Sequence, residues 1–268
     1  MYFEVNNEMS IKKRPSNLVK SVNRVIDILE ELAKQKNGLR VTEISNRLDL
    51  PNSSVSRLLS TLAYRSLVTK DEETNKYNLG LKIFELGSYI FNDLKICECA
   101  KPYLKGLVEE VNETGHLAVL DQGEIVYVDK VESLNPIRMY SRRGGRAPAY
   151  CTGTGKAILA YKPEEEIDIM LEHKSLIKHT DFTITDPYEL KKELQKIRDR
   201  GYAFDEEEFQ PGVKCIAVPI FDYSGEVVGA VGIAGPVMRI SKKKCNQMID
   251  LLKKTGRAIS SHLGYNKR

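Results

Sequence analysis

Tryptophan is absent, aromatic residues make up 7% of the 268 positions, and long apolar runs are missing. No stretch approaches the roughly 20 uninterrupted apolar residues that a membrane-crossing helix requires. The opening MYFEVNNEMSIKKRP has no apolar core ahead of a small-residue cleavage site. A cytoplasmic protein with no membrane partner is therefore expected. Cysteine is scarce and odd in number: Cys97, Cys99, Cys151, Cys215 and Cys245 form no CxxC pair, which points to reduced thiols rather than a disulfide framework. The four histidines, His116, His173, His179 and His262, contain no i, i+4 pair, and Cys97 and Cys99 do not face one another on a helix. No metal site and no cofactor are expected. Internal repeats and low-complexity tracts are also missing.

What is present is length and an uneven distribution of charge. A chain of this size is expected to form two domains. The formal charge of +4 is mild. Between Ser16 and Lys70, however, nine basic residues stand against five acidic ones, so this one segment matches the whole excess. A phosphate-facing module needs such a surplus.

Within that segment, Leu50 to Val68 reads LPNSSVSRLLSTLAYRSLV, a helix that Pro51 suits at its first position. At about 100° per residue, Val55, Leu58, Leu59 and Leu62 gather on one side while Ser53, Arg57, Ser60 and Tyr64 point the opposite way. Serines weaken a helix but permit close approach to another surface. The expected role is groove reading: Asn52, Ser53, Ser56 and Ser60 at base edges, and Arg57 on a guanine edge or a phosphate. The plain alternatives are N-terminal capping by the serines and an ion pair from Arg57 to Asp49.

Before this helix, the apolar stripe of Val22, Val25, Ile26, Leu29, Leu32 and Ala33 predicts a helix over about 18–34. A short helix capped at Thr42 follows. After it, SLVTKDEETNKYNLG alternates around a polar tip and predicts a hairpin whose Lys70 and Lys76 touch the DNA backbone or simply face solvent. Three helices and a hairpin make a winged helix-turn-helix. LGLKIFELGSYIFNDL then reads as a linker helix apolar enough to pair with a second copy of itself.

From Ile96 the pattern becomes α+β. A helix through Tyr103 to Asn112, strands HLAVLD and EIVYVDKVE joined at Gln122 and Gly123, a helix from about Gly155, helices at Pro163–Leu171 and Pro187–Arg200, strands CIAVPIFD and VVGAVGIA, and a last helix over 242–263 predict a small-molecule sensor with one antiparallel sheet. GTGK at Gly153–Lys156 is not a phosphate loop, because Tyr150 and Ala157 break the pattern. It is read as a glycine-flanked helix start whose N–H groups can hold a carboxylate, or as a turn that only allows close packing. Glu206 to Glu208 read as a solvated loop. The competing function is a small hydrolase with a Cys151 or Cys215 nucleophile, for which no partnered histidine is visible.

SVNRVIDILEELA, TEISNRLDLPNSSVSRLLSTL, YNLGLKIFELG, VDKVES, TGTGKAILA, IRDRGYAFDEEEFQPGVKCIAVPIFD and GIAGPVMRI together resemble the IclR family of bacterial transcriptional regulators, from about Ser21 to Gly264. The resemblance implies an α+β chain with a flexible arm at 1–15, a winged helix-turn-helix over 16–80, a linker helix over 81–94 and a GAF-like effector domain over 95–268. It implies a regulator rather than an enzyme, acting on palindromic double-stranded operators as a homodimer or dimer of dimers. By motif, it places a small carboxylate effector against Met139, Ala147, Gly153, Thr154, Asp205, Val213, Cys215, Gly232 and Ala234. Members that bind small keto acids often carry serine at the last two positions. Their replacement by Gly232 and Ala234 implies a larger cavity and a sugar acid or aromatic acid.

Overall fold

The computed structural model describes residues 18–93, 95–136, 141–173 and 175–266, without the side chains of 90–93. The expected arm at 1–15 and the rim residue Met139 lie outside the described residues, as do the side chains of Ile90 and Phe91 in the linker reading. The chain divides into two units, 1–93 and 94–268.

In the first unit, α1 (Lys20–Ala33), α2 (Val41–Leu48) and α3 (Asn52–Tyr64) precede strands β1 (Val68–Lys70) and β2 (Tyr77–Leu79) and helix α4 (Leu81–Asp93). Ile28, Leu32, Ile44, Val55, Leu59, Leu62 and Val68 form its core. The α2 start differs from expectation: Arg40, not Thr42, takes the cap position, and Glu43 Oε2 accepts its backbone N–H at 2.7 Å. Asp49 adopts a left-handed conformation, φ 50°, which turns α2 into α3. Pro51 is the residue before α3 rather than its first.

Helix α3 also ends sooner than the reading of 50–68 held. Ser66 takes φ 58°, its N–H donates to the Ala63 carbonyl at 2.9 Å, and the Leu67 N–H donates to the Leu62 carbonyl at 2.9 Å. That paired closure releases the chain into β1, so Val68 lies on a strand. β1 and β2 pair antiparallel, and Leu39 bridges to Tyr77 as a third short edge. Gly80 packs so closely on the Ser66 carbonyl that no Cβ fits. On α4, Leu81, Phe84, Leu86 and Tyr89 are exposed.

The second unit holds α5 (Lys95–Val111), β3 (Thr114–Asp121), β4 (Glu124–Val131), β5 (Arg146–Pro148), α6 (Gly153–Leu159), α7 (Glu164–His173), α8 (Pro187–Arg200), β6 (Ala203–Glu206), β7 (Val213–Phe221), β8 (Val227–Pro236) and α9 (Lys242–His262). The six strands form one antiparallel sheet in the order β5-β4-β3-β8-β7-β6. Helix α5 starts eight residues before its expected position and runs through Pro102. The sequence pattern does not mark strands β5 and β6. Both are short edge strands whose hydrophobic pattern is too brief to show a period.

Strand alternation gives the sheet two unlike faces. Leu117, Ile216, Val218, Ile220, Val231 and Ile233 meet α5 and α9 in one core. Ala118, Ala203, Ala217 and Ala230 fall on the other face, in a second core with α6 and α8. Small side chains there bring α6 and the loop before it close to the sheet. Gly155 shows the result: any Cβ would strike the backbone of Ala149. The close-packing reading of GTGK therefore holds at that glycine.

Candidate functional site

Two places concentrate the sequence candidates. The first is the outer side of α3. Asn52, Ser53, Ser56, Arg57 and Ser60 are all exposed, while Val55 and Leu59 are fully buried beneath them. No described acidic residue pairs with Arg57, so the alternative ion pair to Asp49 is not formed. Ser60 Oγ donates to the Ser56 carbonyl at 2.9 Å, which leaves its oxygen able to accept. The N-terminal capping alternative finds no support either, since α3 has no side-chain cap.

The hairpin beside it is built by local bonds. Asp71 Oδ1 accepts the backbone N–H groups of Glu73 and Thr74 at 3.0 and 2.8 Å, and Arg40 Nε donates to the Thr74 carbonyl at 3.0 Å. Lys70 is exposed and pairs with Glu72 at 3.0 Å, and Lys76 is half-buried. Such an exposed pair holds little energy and yields readily to a phosphate.

The second place is the α6 side of the sheet. Register sets Asp205 beside Cys215, Cys215 beside Ala234, and Ala234 beside Thr114, so these four lie in one row. The next row on that face holds Ala203, Ala217, Gly232 and His116. Val213, two residues before Cys215, shares the face and is half-buried. Thr154 from α6 lies over Gly232, and Gly153 lies over the Cys215 sulfur. The structure thus brings Gly153, Thr154, Asp205, Val213, Cys215, Gly232 and Ala234 together. Ala147 is on the same face but on β5, at the opposite edge of the sheet from Asp205.

One expectation about this region is corrected. Loss of a side chain at Gly232 opens no space, because a Cβ there would stand 2.9 Å from the Thr154 methyl and 3.0 Å from the Ala217 Cβ. The neighbours have closed over the position.

Electrostatics in this region follow from burial. Asp205 is pushed up to about 7, first by desolvation and then by the Glu208 charge. Its Oδ1 accepts the backbone N–H groups of Glu208 at 2.8 Å and Phe209 at 3.4 Å, which work the other way. Cys151 and Cys215 are both raised well above an ordinary thiol by burial, with the Asp205 charge second. The N–H groups of Gly153 and Thr154, the expected carboxylate donors, point at the Cys215 sulfur. His116 is lowered to about 3 by burial and then Lys130, and its Nε2 lies 2.7 Å from Ser141 Oγ. Two buried thiols raised by desolvation, with buried His116 bonded to Ser141, are unsuited to nucleophilic attack.

Sequence reasoning missed Lys156, Glu208 and His116. Lys156 is 1% exposed and bonds Glu208 Oε1. Of the expected solvated loop, only the exposure holds for Glu206, which ends strand β6 and pairs with Lys214, and nothing holds for buried Glu208. For His116 the signal was alternation in HLAVLD, which puts His116 and Ala118 on one face. Nothing in the sequence linked Lys156 to Glu208, 52 residues away.

A three-helix head with a strand pair, whose third helix turns a polar, unpaired side to solvent, joined to a sheet domain with a buried polar row, defines a two-domain DNA-binding regulator. Residues 21–72 match the IclR helix-turn-helix domain, and residues 89–261 match the bacterial transcriptional regulator IclR C-terminal domain. The chain belongs to the IclR family of transcriptional regulators. It is 36% identical to the HTH-type transcriptional regulator KdgR of Escherichia coli over 256 residues, which is 96% of this chain and 97% of that one. It is 33% identical to the transcriptional repressor IclR of the same organism over 92% of this chain and 90% of the relative. The crystal structure of the Thermotoga maritima IclR superposes with a TM-score of 0.80 at 35% identity, covering 92% and 99% of the two chains. These relatives are regulators, and the chain is not an enzyme. Among the described residues, no helix is long and apolar enough to cross a membrane.

Proposed function

We propose that the protein is a cytoplasmic, effector-controlled repressor of a catabolic operon, answering to a small organic acid of the sugar-acid or aromatic-acid class. The observation that carries the DNA half is the exposed polar side of α3, with Arg57 unpaired among the described residues and Leu59 fully buried behind it. Asn52, Ser53, Ser56 and Ser60 meet base edges, Arg57 takes a guanine edge or a phosphate, and Lys70 and Lys76 touch the backbone from the hairpin. The exposed apolar residues of α4 support pairing of two chains, which matches two heads to a palindromic operator as a homodimer or a dimer of dimers. Arm 1–15, head 16–80, linker 81–94 and effector domain 95–268 are the working parts.

The effector enters the α6 side of the sheet. Its carboxylate replaces the Cys215 sulfur at the N–H groups of Gly153 and Thr154, while Asp205 and Cys215 receive its hydroxyl or carbonyl groups. Val213, Gly232 and Ala234 complete the wall, and the family motif adds to it Ala147, on the far edge strand, and Met139, outside the described residues. Binding alters operator affinity only as far as the ligand prefers one arrangement of the heads over the other. The test is a D205A variant assayed for operator retardation with and without inducer. Retained DNA affinity with a weakened response is expected, and an unchanged induction curve removes Asp205 from the site.

A further inference from the structure

One buried cluster on the α6 side of the sheet holds more acid than base. Asp205 and Glu208 are 5% and 7% exposed, and Lys156, bonded to Glu208 Oε1, is 1% exposed. Glu208 Oε2 is buried with no hydrogen-bond partner among the described residues, on a side chain 9% exposed. Buried carboxylate oxygens are ordinarily bonded, and a bare one calls for a donor. Among the described residues, the other groups acting on the two acids add no free cation. Tyr127 from β4, Cys151 before α6 and Cys215 on β7 are kept neutral by burial, and Glu193 on α8, whose charge raises Glu208 further, is itself paired with Arg200 at 2.8 Å. Two carboxylates with one ammonium leave an uncompensated negative charge in a desolvated place, and an entering anion would double it.

We propose that Glu208 and Lys156 belong to the effector site alongside Asp205, and that this triad accepts an organic-acid anion only while Asp205 carries a proton. The inference rests on the effector reading above and gives it a chemistry. Glu208 stays ionised on Lys156. Asp205 keeps its proton and donates its O–H to a ligand oxygen, and no covalent bond is broken. Above neutrality, each anion bound draws one proton from solvent. Desolvation and then the Glu208 charge, which move the Asp205 midpoint to about 7, agree with the geometry.

The test uses the full-length protein and two probe acids, D-gluconate and 4-hydroxybenzoate, titrated calorimetrically at pH 6, 7 and 8 in buffers of different ionisation enthalpy. With a midpoint near 7, the protonated share of Asp205 falls about tenfold from pH 6 to pH 8, and affinity falls with it. D205N is neutral at every pH and keeps a donor. It is expected to lose the slope and to bind more tightly than wild type at pH 8, a gain that a purely structural aspartate would not produce. E208Q leaves Lys156 to Asp205 alone, which ionises the aspartate and moves the slope below pH 6. Equal wild-type affinity at pH 6 and pH 8, or a slope that persists in D205N, overturns the proposal. If neither acid binds at pH 6, the effector reading is what has failed, and the ligand-free protein decides the triad. Infrared difference spectra between pH 6 and pH 8 then show a protonated carboxyl that titrates near 7 and vanishes in D205N, or its absence overturns the triad.

Discussion

Replacing Arg57 with alanine removes a side chain that points into solvent from the middle of α3. Its backbone neighbours are held by the Val55, Leu59 and Leu62 contacts below, which the change does not reach. Alanine is also at least as good a helix former as arginine, so the head should stay folded within about 0.5 kcal/mol. The cost falls on DNA. One bidentate arginine–guanine contact is worth about 1–3 kcal/mol, and the proposed dimer on a palindrome would lose two, or about 2–6 kcal/mol. That is a loss of affinity between roughly 30-fold and more than 10,000-fold. Fluorescence anisotropy on an operator fragment selected from a randomised duplex library, run at several salt concentrations, reads both the loss and its kind. A base contact relaxes sequence preference at one position, whereas a phosphate contact weakens binding to all sequences and lowers the salt slope by about one per head. If R57A binds the selected fragment with wild-type affinity and slope, α3 does not read the groove.

Three further outcomes follow from the effector domain. Gly232→Ser would force the Thr154 methyl away from a contact of 2.9 Å, so thermal denaturation should show a loss of about 1–3 kcal/mol rather than a neutral gain of a hydroxyl. Glu113 is fully buried and bonded by Arg239 at 2.9 and 2.7 Å and by Lys244 at 2.9 Å. Burial raises its carboxyl, but the hydrogen bonds from Arg239 and Lys244 outweigh this and hold it below the usual range. Its stabilisation is thus present above the unfolded-state value and is lost as pH falls through the folded one. Glu113→Gln should cost about 2–3 kcal/mol at pH 7 and less in acid, read by urea unfolding at both pH values, since both basic partners keep some access to water. Iodoacetamide at neutral pH should modify half-buried Cys99 first and leave Cys151 and Cys215 unmodified until the protein unfolds. Rapid labelling of either buried cysteine in the native protein would contradict the raised thiols.

Much of the head could be read directly from its residues. Helix periods, the proline before α3 and the alternating hairpin are local signals, and each element buries its own apolar stripe on the others. The boundaries that moved did so for local reasons that are hard to see in letters. Ser66 accepted a left-handed conformation without being glycine, and Arg40 capped α2 through the Glu43 side chain rather than its own. In the effector domain, the residues carried by resemblance met on one face because β6, β7, β8 and β3 align Asp205, Cys215, Ala234 and Thr114 in register. Two misreadings, the space at Gly232 and the solvated Glu208, concerned what lies above a strand, which no pattern along that strand reports.

By itself, the sequence determined which of the longer segments turn helical or extended, and which side of α3 stays wet, because those choices depend on neighbours three or four residues away. Only the tertiary structure decided that a lysine in a glycine-flanked helix and a glutamate from an acidic run would be buried against each other. The reason is one of distance: their pairing follows from the order of strands in the sheet and from the small residues beneath α6, and both are properties of contacts between segments far apart in the chain.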